Sequence, residues 1–224
     1  MTYTPSPSGD SSADWQSIDT KEAGFDSARL ADATAYALAT ETPWPRDLGE
    51  ADSVPGLTDI EPPPWNKPLG IFKPRGGPSG VVLRGGKIAA TWGEPERVDM
   101  TFSIAKSYLS ILTGVAVADG LIADIDAPVA DSVSGELFAS EHNRHITWRH
   151  LLHQTSEWSG TLFDKPDQVD HFRQVGAGSD NSRKGEKREL QTPGTFWEYN
   201  DVRVNLLALS LLHVFKQPLP DVLK

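Results

Sequence analysis

Small and apolar residues recur at helical spacing from residue 29 to 38, where Leu30, Ala33, Ala37 and Leu38 share one side and Asp26 or Ser27 stands ready as the N-cap. From Pro43 to Pro78 that rhythm is lost. Proline and glycine crowd this stretch, Pro62, Pro63 and Pro64 stand in a row, and an extended wrap over the surface is expected in place of long regular elements. The period then shortens: residues 81–84 and 87–92 flank Gly85-Gly86, which predicts an antiparallel hairpin. The longest helical pattern follows, opening near Met100, Thr101 and Phe102, covering residues 103–118 and stopping at Asp119-Gly120. Residues 146–152 begin another helix, with Thr147 as its cap, and residues 173–194 form a polar, glycine-bearing loop. A last helix is expected over residues 202–215, closed by Pro218 and Pro220. No internal repeat of fixed period is visible.

A chain of 224 residues can bury one sizeable core, or a body plus a smaller lobe. Residues 1–20 are rich in Ser, Pro and Asp and predict a loose tail, leaving residues 21–224 for the folded domain. With 21 Lys and Arg against 31 Asp and Glu the net charge is −10, which speaks against a nucleic-acid or anionic-membrane partner. There is no cysteine, hence no disulfide framework and no thiolate metal site. The first residues show neither a basic nor an apolar stretch of the kind a secretion signal carries, so a cytoplasmic protein is expected. Residues 108–125 are the most apolar run, but Thr113, Gly114, Asp119 and Gly120 interrupt it, and a core helix fits better than a membrane span.

Candidate chemistry sits at the start of that helix. Ser103 precedes Lys106 by three residues, a spacing that puts both on one helix face with Cβ atoms roughly 5–6 Å apart. A serine hydroxyl is a weak nucleophile until a base takes its proton, and a lysine amine within reach can be that base. First-turn N–H groups and the positive end of the helix dipole favour negative charge developing beside Ser103.

Three segments in order extend the pattern: residues 101–107 with Ser103 and Lys106, residues 146–156, and residues 193–201 with Trp197, Tyr199, Asn200 and Asp201. Together they resemble the serine beta-lactamase and penicillin-binding-protein superfamily, and within it the class C-like branch of esterases, D-aminopeptidases and aminohexanoate-oligomer hydrolases. The resemblance runs from about residue 25 to the end. It implies an α/β (α+β) fold of the beta-lactamase/transpeptidase type, an antiparallel sheet flanked by helices plus a helical lobe. It also implies that Ser103 is the acylated nucleophile, Lys106 its general base, and Tyr199 the tyrosine of the family's Tyr-x-Asn motif. No cofactor and no metal is implied.

Two departures stand out. Asn200 is the intervening residue and Asp201 occupies the motif's asparagine position. A carboxylate there would raise the Lys106 pKa and keep the amine protonated, making Tyr199 the proton acceptor; Asp201 is equally suited to capping the helix that follows. Second, no Lys-Thr-Gly-like segment follows Tyr199, so the resemblance implies a C-terminally truncated, incomplete domain whose last strands are missing. Such a domain would lack one oxyanion donor, a loss typically worth ~10²–10³ in rate.

The remaining candidates leave alternatives open. Trp158 and Trp197 either line an acyl pocket or sit in the core. His150 and His153 have no third ligand at metal-binding spacing and read as helix residues. The run Arg183, Lys184, Lys187, Arg188 is a solvated loop or a lip over the cleft. The function expected is hydrolysis of a small-molecule ester or amide, including a beta-lactam or short linear amide, with Asp201, Asn200, Trp158 and Trp197 near the substrate. The alternatives are a catalytically silent remnant that binds a ligand or partner, or a homo-oligomer or complementing assembly in which another chain completes the sheet.

Overall fold

In the computed structural model the described residues are 15–47, 63–65, 73–176 and 178–223. They divide into two units, one from the first hundred residues and one formed by residues 58–68 and 101–223.

The first unit holds helix α1 (Ser27–Ala39) and the strands β1 (Gly80–Arg84) and β2 (Lys87–Trp92). Asp26 caps α1 by accepting from the N–H groups of Ala28 and Arg29 at 3.0 and 3.1 Å. The face that lines a groove with Ala90 of β2 consists of Ser27, Leu30, Ala31, Thr34, Ala35 and Leu38. It is turned from the expected side bearing Ala33 and Ala37. Alanine is apolar wherever it points, so it sets no direction, and Thr34 joins the groove face because its hydroxyl donates back to the Leu30 carbonyl at 3.0 Å.

β1 and β2 pair antiparallel, as expected, with a bulge between Val82 and Leu83. Gly85 and Gly86 both have positive φ, the conformation this tight turn demands. Most of the expected N-terminal tail lies outside the described residues. Its last part is tied to β2, since the Ile88 N–H donates to the Gln16 carbonyl and the Ile18 N–H to the Ile88 carbonyl. Of the expected wrap, residues 48–62 and 66–72 lie outside the described residues. Near its two ends Arg75 gathers the chain, donating to Glu41 at 2.8 Å and to the Trp44 carbonyl at 2.6 Å.

The second unit holds α2 (Ala105–Ala118), α3 (Trp148–Leu152), the two-residue strands β3 (Thr161–Leu162) and β4 (Lys165–Pro166), α4 (Asp201–Phe215) and α5 (Leu219–Val222). Its core unites Leu109, Leu112 and Ala116 of α2 with Val202, Leu206 and Leu211 of α4, around Phe138, Ile146, Trp148 and Trp158. Burial of each large aliphatic or Phe side chain among these contributes about 1.5–3 kcal/mol, so the α2–α4 seam is the mainstay of this unit. α2 ends as expected, with Gly120 at φ +71° donating to the Val117 carbonyl. The expected last helix also forms. It stops at Lys216, which takes the left-handed conformation at φ +56°, and Pro218 and Pro220 introduce α5 instead of closing α4. Among the described residues no helix is long and apolar enough to cross a membrane.

Candidate active site

The expected helix over residues 103–118 begins differently from its pattern. Residues 102–104 form a tight 3-10 turn that runs into α2, and Phe102 has φ +45°. A bulky residue in that region carries strain of order 1–3 kcal/mol, stored one residue before Ser103. The turn leaves Ser103 exposed on the surface, while Leu109 and Leu112, on the opposite side of α2, are buried.

Residues 198–200 are brought to Ser103 by the segment after α3. Thr147 caps α3 by accepting from the His150 N–H, and His150 Nδ1 accepts in return from the Thr147 N–H, both at 3.2 Å. Just past α3, the Gln154 carbonyl accepts from the Glu198 N–H and the Gln154 side chain from the Asn200 N–H, both at 3.2 Å. The Gly194 N–H donates to the Thr155 carbonyl at 2.7 Å. At Gly194, with φ +92°, a Cβ would come within 2.7 Å of His150 Nε2, so glycine is required there on both counts. Residues 146–156 are thus the bracket that holds residues 193–200. Burial pushes the His150 imidazole below its ordinary value. His150 serves this bracket, in agreement with its reading as a helix residue.

Four side chains, those of Ser103, Lys106, Tyr199 and Asp201, meet at the site, and a fifth, Arg173, joins them. Ser103 Oγ and Tyr199 Oη lie 2.6 Å apart, either hydroxyl able to donate. Lys106 Nζ donates to Ser103 Oγ at 3.1 Å and forms an ion pair with Asp201 Oδ1 at 2.7 Å. Arg173 Nη1 reaches the other oxygen, Asp201 Oδ2, at 2.6 Å. The Lys106 ammonium and the Arg173 guanidinium each stand 4.7 Å from the centre of the Tyr199 ring. Burial acts to lower the Lys106 pKa, but the close contacts with Asp201 and Tyr199 outweigh it and the amine is held above its ordinary value. For Asp201 burial acts upward, and the charges of Arg173 and Lys106 overcome it, holding the carboxyl below its ordinary value. At neutral pH Lys106 is therefore an ammonium beside a carboxylate.

Asn200 and Trp158 do not meet the others. Asn200 is fully buried and caps α4, its side chain accepting from the Arg203 N–H at 3.1 Å and donating to the Asp167 carbonyl at 2.9 Å. It takes the capping place considered for Asp201, because Asn200 has the extended backbone a cap needs and Asp201 is already the first helical residue. Trp158 is 1% exposed and donates from its indole N–H to the Leu137 carbonyl at 2.7 Å, a core position. Trp197 is 56% exposed. With Phe172 and Phe196 it lines a pocket of about 220 Å³ that Arg173 also borders.

At residues 183–188 the solvated-loop expectation holds for Arg183 and Lys187, which are exposed, and fails for Lys184 and Arg188. Lys184 pairs with buried Asp170 at 3.1 Å. Arg188 forks onto Glu157 at 2.6 Å and Glu198 at 2.7 Å, and Arg203 bridges Glu157 at 2.8 Å and Asp167 at 3.0 Å. Burial raises the Glu157 pKa, but the arginines and the Gln191 N–H reverse this and bring it to about 2. This network ties the loop down beside Glu198, the neighbour of Tyr199. Sequence reasoning missed Arg173. The i, i+3 spacing of Asp170 and Arg173 was the available signal, but nothing local points to Asp201.

Among known proteins, the family model described as Beta-lactamase matches residues 75–224. No curated protein matches the chain.

Proposed function

The chain belongs to the beta-lactamase family, and on that premise we propose that it is a serine hydrolase that opens an ester or amide through an acyl-enzyme on Ser103. The observation that carries this reading is the convergence on one hydroxyl: Ser103 Oγ has Tyr199 Oη at 2.6 Å and Lys106 Nζ at 3.1 Å. Because Asp201 keeps Lys106 protonated, the group that accepts the serine proton is the Tyr199 oxygen, with the ammonium beside it to stabilise negative charge there. Ser103 Oγ then attacks the carbonyl carbon, and the oxyanion forms near the first-turn N–H groups. Tyr199 returns the proton to the leaving alcohol or amine as that bond breaks. Water repeats the sequence on the acyl-enzyme, releasing the acid and restoring Ser103.

The exposed ring of Trp197, with Phe172 and Phe196, is the proposed wall for one arm of the substrate. A cavity of ~150 Å³ holds benzene, so about 220 Å³ suits a single ring or a short chain. Candidate substrates are accordingly small esters and amides.

Intact-mass analysis after exposure to a fluorophosphonate tests the reading. One adduct on the wild type that is absent from Ser103→Ala is expected. No adduct on folded wild type, or an adduct that persists in Ser103→Ala, overturns it.

A further inference from the structure

Arg173 lies outside the three segments that carry the chemistry, yet it touches two of the four groups at the site. We propose that Arg173 is a positioning residue for the reaction at Ser103: it fixes Asp201 against Lys106 and sets a second cation beside Tyr199. The inference rests on the reading of Ser103 as nucleophile.

The two oxygens of Asp201 are divided between two cations, Oδ1 to Lys106 at 2.7 Å and Oδ2 to Arg173 at 2.6 Å. A carboxylate held at one oxygen can swing about its last bond and exchange partners. Held at both, it keeps a single orientation, and the lysine beside it keeps one too. Arg173 is itself fixed from behind, because its Nη1 also donates to Asp170 Oδ1 at 3.1 Å. Asp170 is buried and bound from three directions: by Arg173, by Lys184 at 3.1 Å, and at its second oxygen by the Asp201 N–H at 2.8 Å. The chain of contacts therefore begins in the interior and ends on the exposed serine.

Among the described residues, the charged and titratable groups facing Asp201 are Lys106 from α2, Arg173 and Asp170 from the segment before the loop, and Tyr199 from the segment before α4, with Lys184 behind Asp170. Lys106 and Arg173 approach the Tyr199 ring at the same 4.7 Å. Negative charge that develops on the tyrosine oxygen thus meets two cations rather than one. Without Arg173, burial would act on Asp201 with only Lys106 to oppose it. The carboxyl would take up a proton at higher pH, and the orientation of Lys106 would loosen.

The test compares wild type with Arg173→Gln and Arg173→Lys, using two readouts. The first is the rate of fluorophosphonate labelling of Ser103 across about pH 3 to 9. The second is the carbon-13 NMR titration of the Asp201 carboxyl, assigned with Asp201→Asn. In Arg173→Gln the labelling rate at neutral pH is expected to fall about tenfold or more. The acid limb of its profile and the carboxyl midpoint should both rise by roughly one pH unit, the lower end of what one adjacent opposite charge does. Arg173→Lys restores most of both. A folded Arg173→Gln protein with wild-type labelling and an unmoved carboxyl midpoint overturns the inference. So does a slower rate with no shift in either curve and no rescue by lysine, which marks a merely structural contact. If wild type itself is not labelled, the proposed function fails, and an unmoved carboxyl midpoint then rejects the Arg173 assignment by itself.

Discussion

Two clusters of charge lie in the same unit and use the same chemistry to opposite ends. In the inner one, Glu157, Glu198 and Asp167 are bridged by Arg188 and Arg203, and no side chain is more than 9% exposed. In the outer one, Lys106 and Asp201 are 23% and 39% exposed, and the contacts end on the open hydroxyl of Ser103. Every inner carboxylate accepts from several donors fixed in the interior, so no bonding capacity is directed at a ligand. The outer cluster stops short of closure, at the place where a reacting carbonyl would be met. Burial and saturation, rather than the identity of the charged residues, separate the charges that hold this unit together from those that can do chemistry.

The sharpest way to divide the clusters is Tyr199→Phe. Removing the proposed proton acceptor is expected to slow fluorophosphonate labelling of Ser103 by about 10²–10⁴-fold, the usual worth of general acid–base catalysis. Its midpoint of chemical unfolding should stay near that of wild type, because the lost hydroxyl faces Ser103 on the exposed side. A large stability loss with unchanged labelling would make Tyr199 a member of the structural cluster and break the comparison.

Glu157→Gln is the mirror experiment. It leaves Arg188 and Arg203 buried with one counter-charge fewer, and breaking a buried ionic network typically destabilises by about 3–5 kcal/mol. Urea unfolding should show this loss, while protein that remains folded keeps its Ser103 reactivity. Stability within about 1 kcal/mol of wild type would mean that the inner network contributes little.

Acid supplies the smallest and most graded test. A carboxyl whose folded pKa lies below its unfolded value stabilises the fold fully above the unfolded value and loses that contribution as pH falls through the folded one. Glu157 has an ordinary value of 4.5 and a folded value of about 2. Its contribution, about 3 kcal/mol from that difference, should disappear between those limits, and Asp167, also held below its ordinary value, adds in the same direction. Unfolding free energies measured from pH 5 down to pH 2 should fall steadily in wild type and less steeply in Glu157→Gln. Parallel slopes would show that other carboxylates govern acid stability.

Much of this was legible along the chain because the physics is local. Gly85-Gly86 and Gly120 mark places where only a residue without Cβ takes positive φ at no cost, so the hairpin and the end of α2 could be placed at once. Thr147 announces α3 by the same local logic, a short side chain that bonds an N–H three residues on. Ser103, Lys106 and Tyr199 were legible as well, the first two by spacing and the third by resemblance. The structure brings Lys106 and Tyr199 within hydrogen-bonding reach of the Ser103 hydroxyl.

Other features depended on partners far along the chain. Lys184 and Arg188 have the composition of a solvated loop, yet they are buried because Asp170 lies 14 residues before the one and Glu157 31 residues before the other. The choice between Asn200 and Asp201 as cap turned on one backbone dihedral, and with it went the freedom of Asp201 to face Lys106. Arg173 shows no local sign of its reach to Asp201, 28 residues on. The sequence by itself determined which stretches become helix and turn and which residues could react, since capping, φ preference and helical spacing act over a few residues. Only the tertiary structure decided which charges are closed off and which are left open, because a charge takes its pKa and its role from the groups that folding sets beside it.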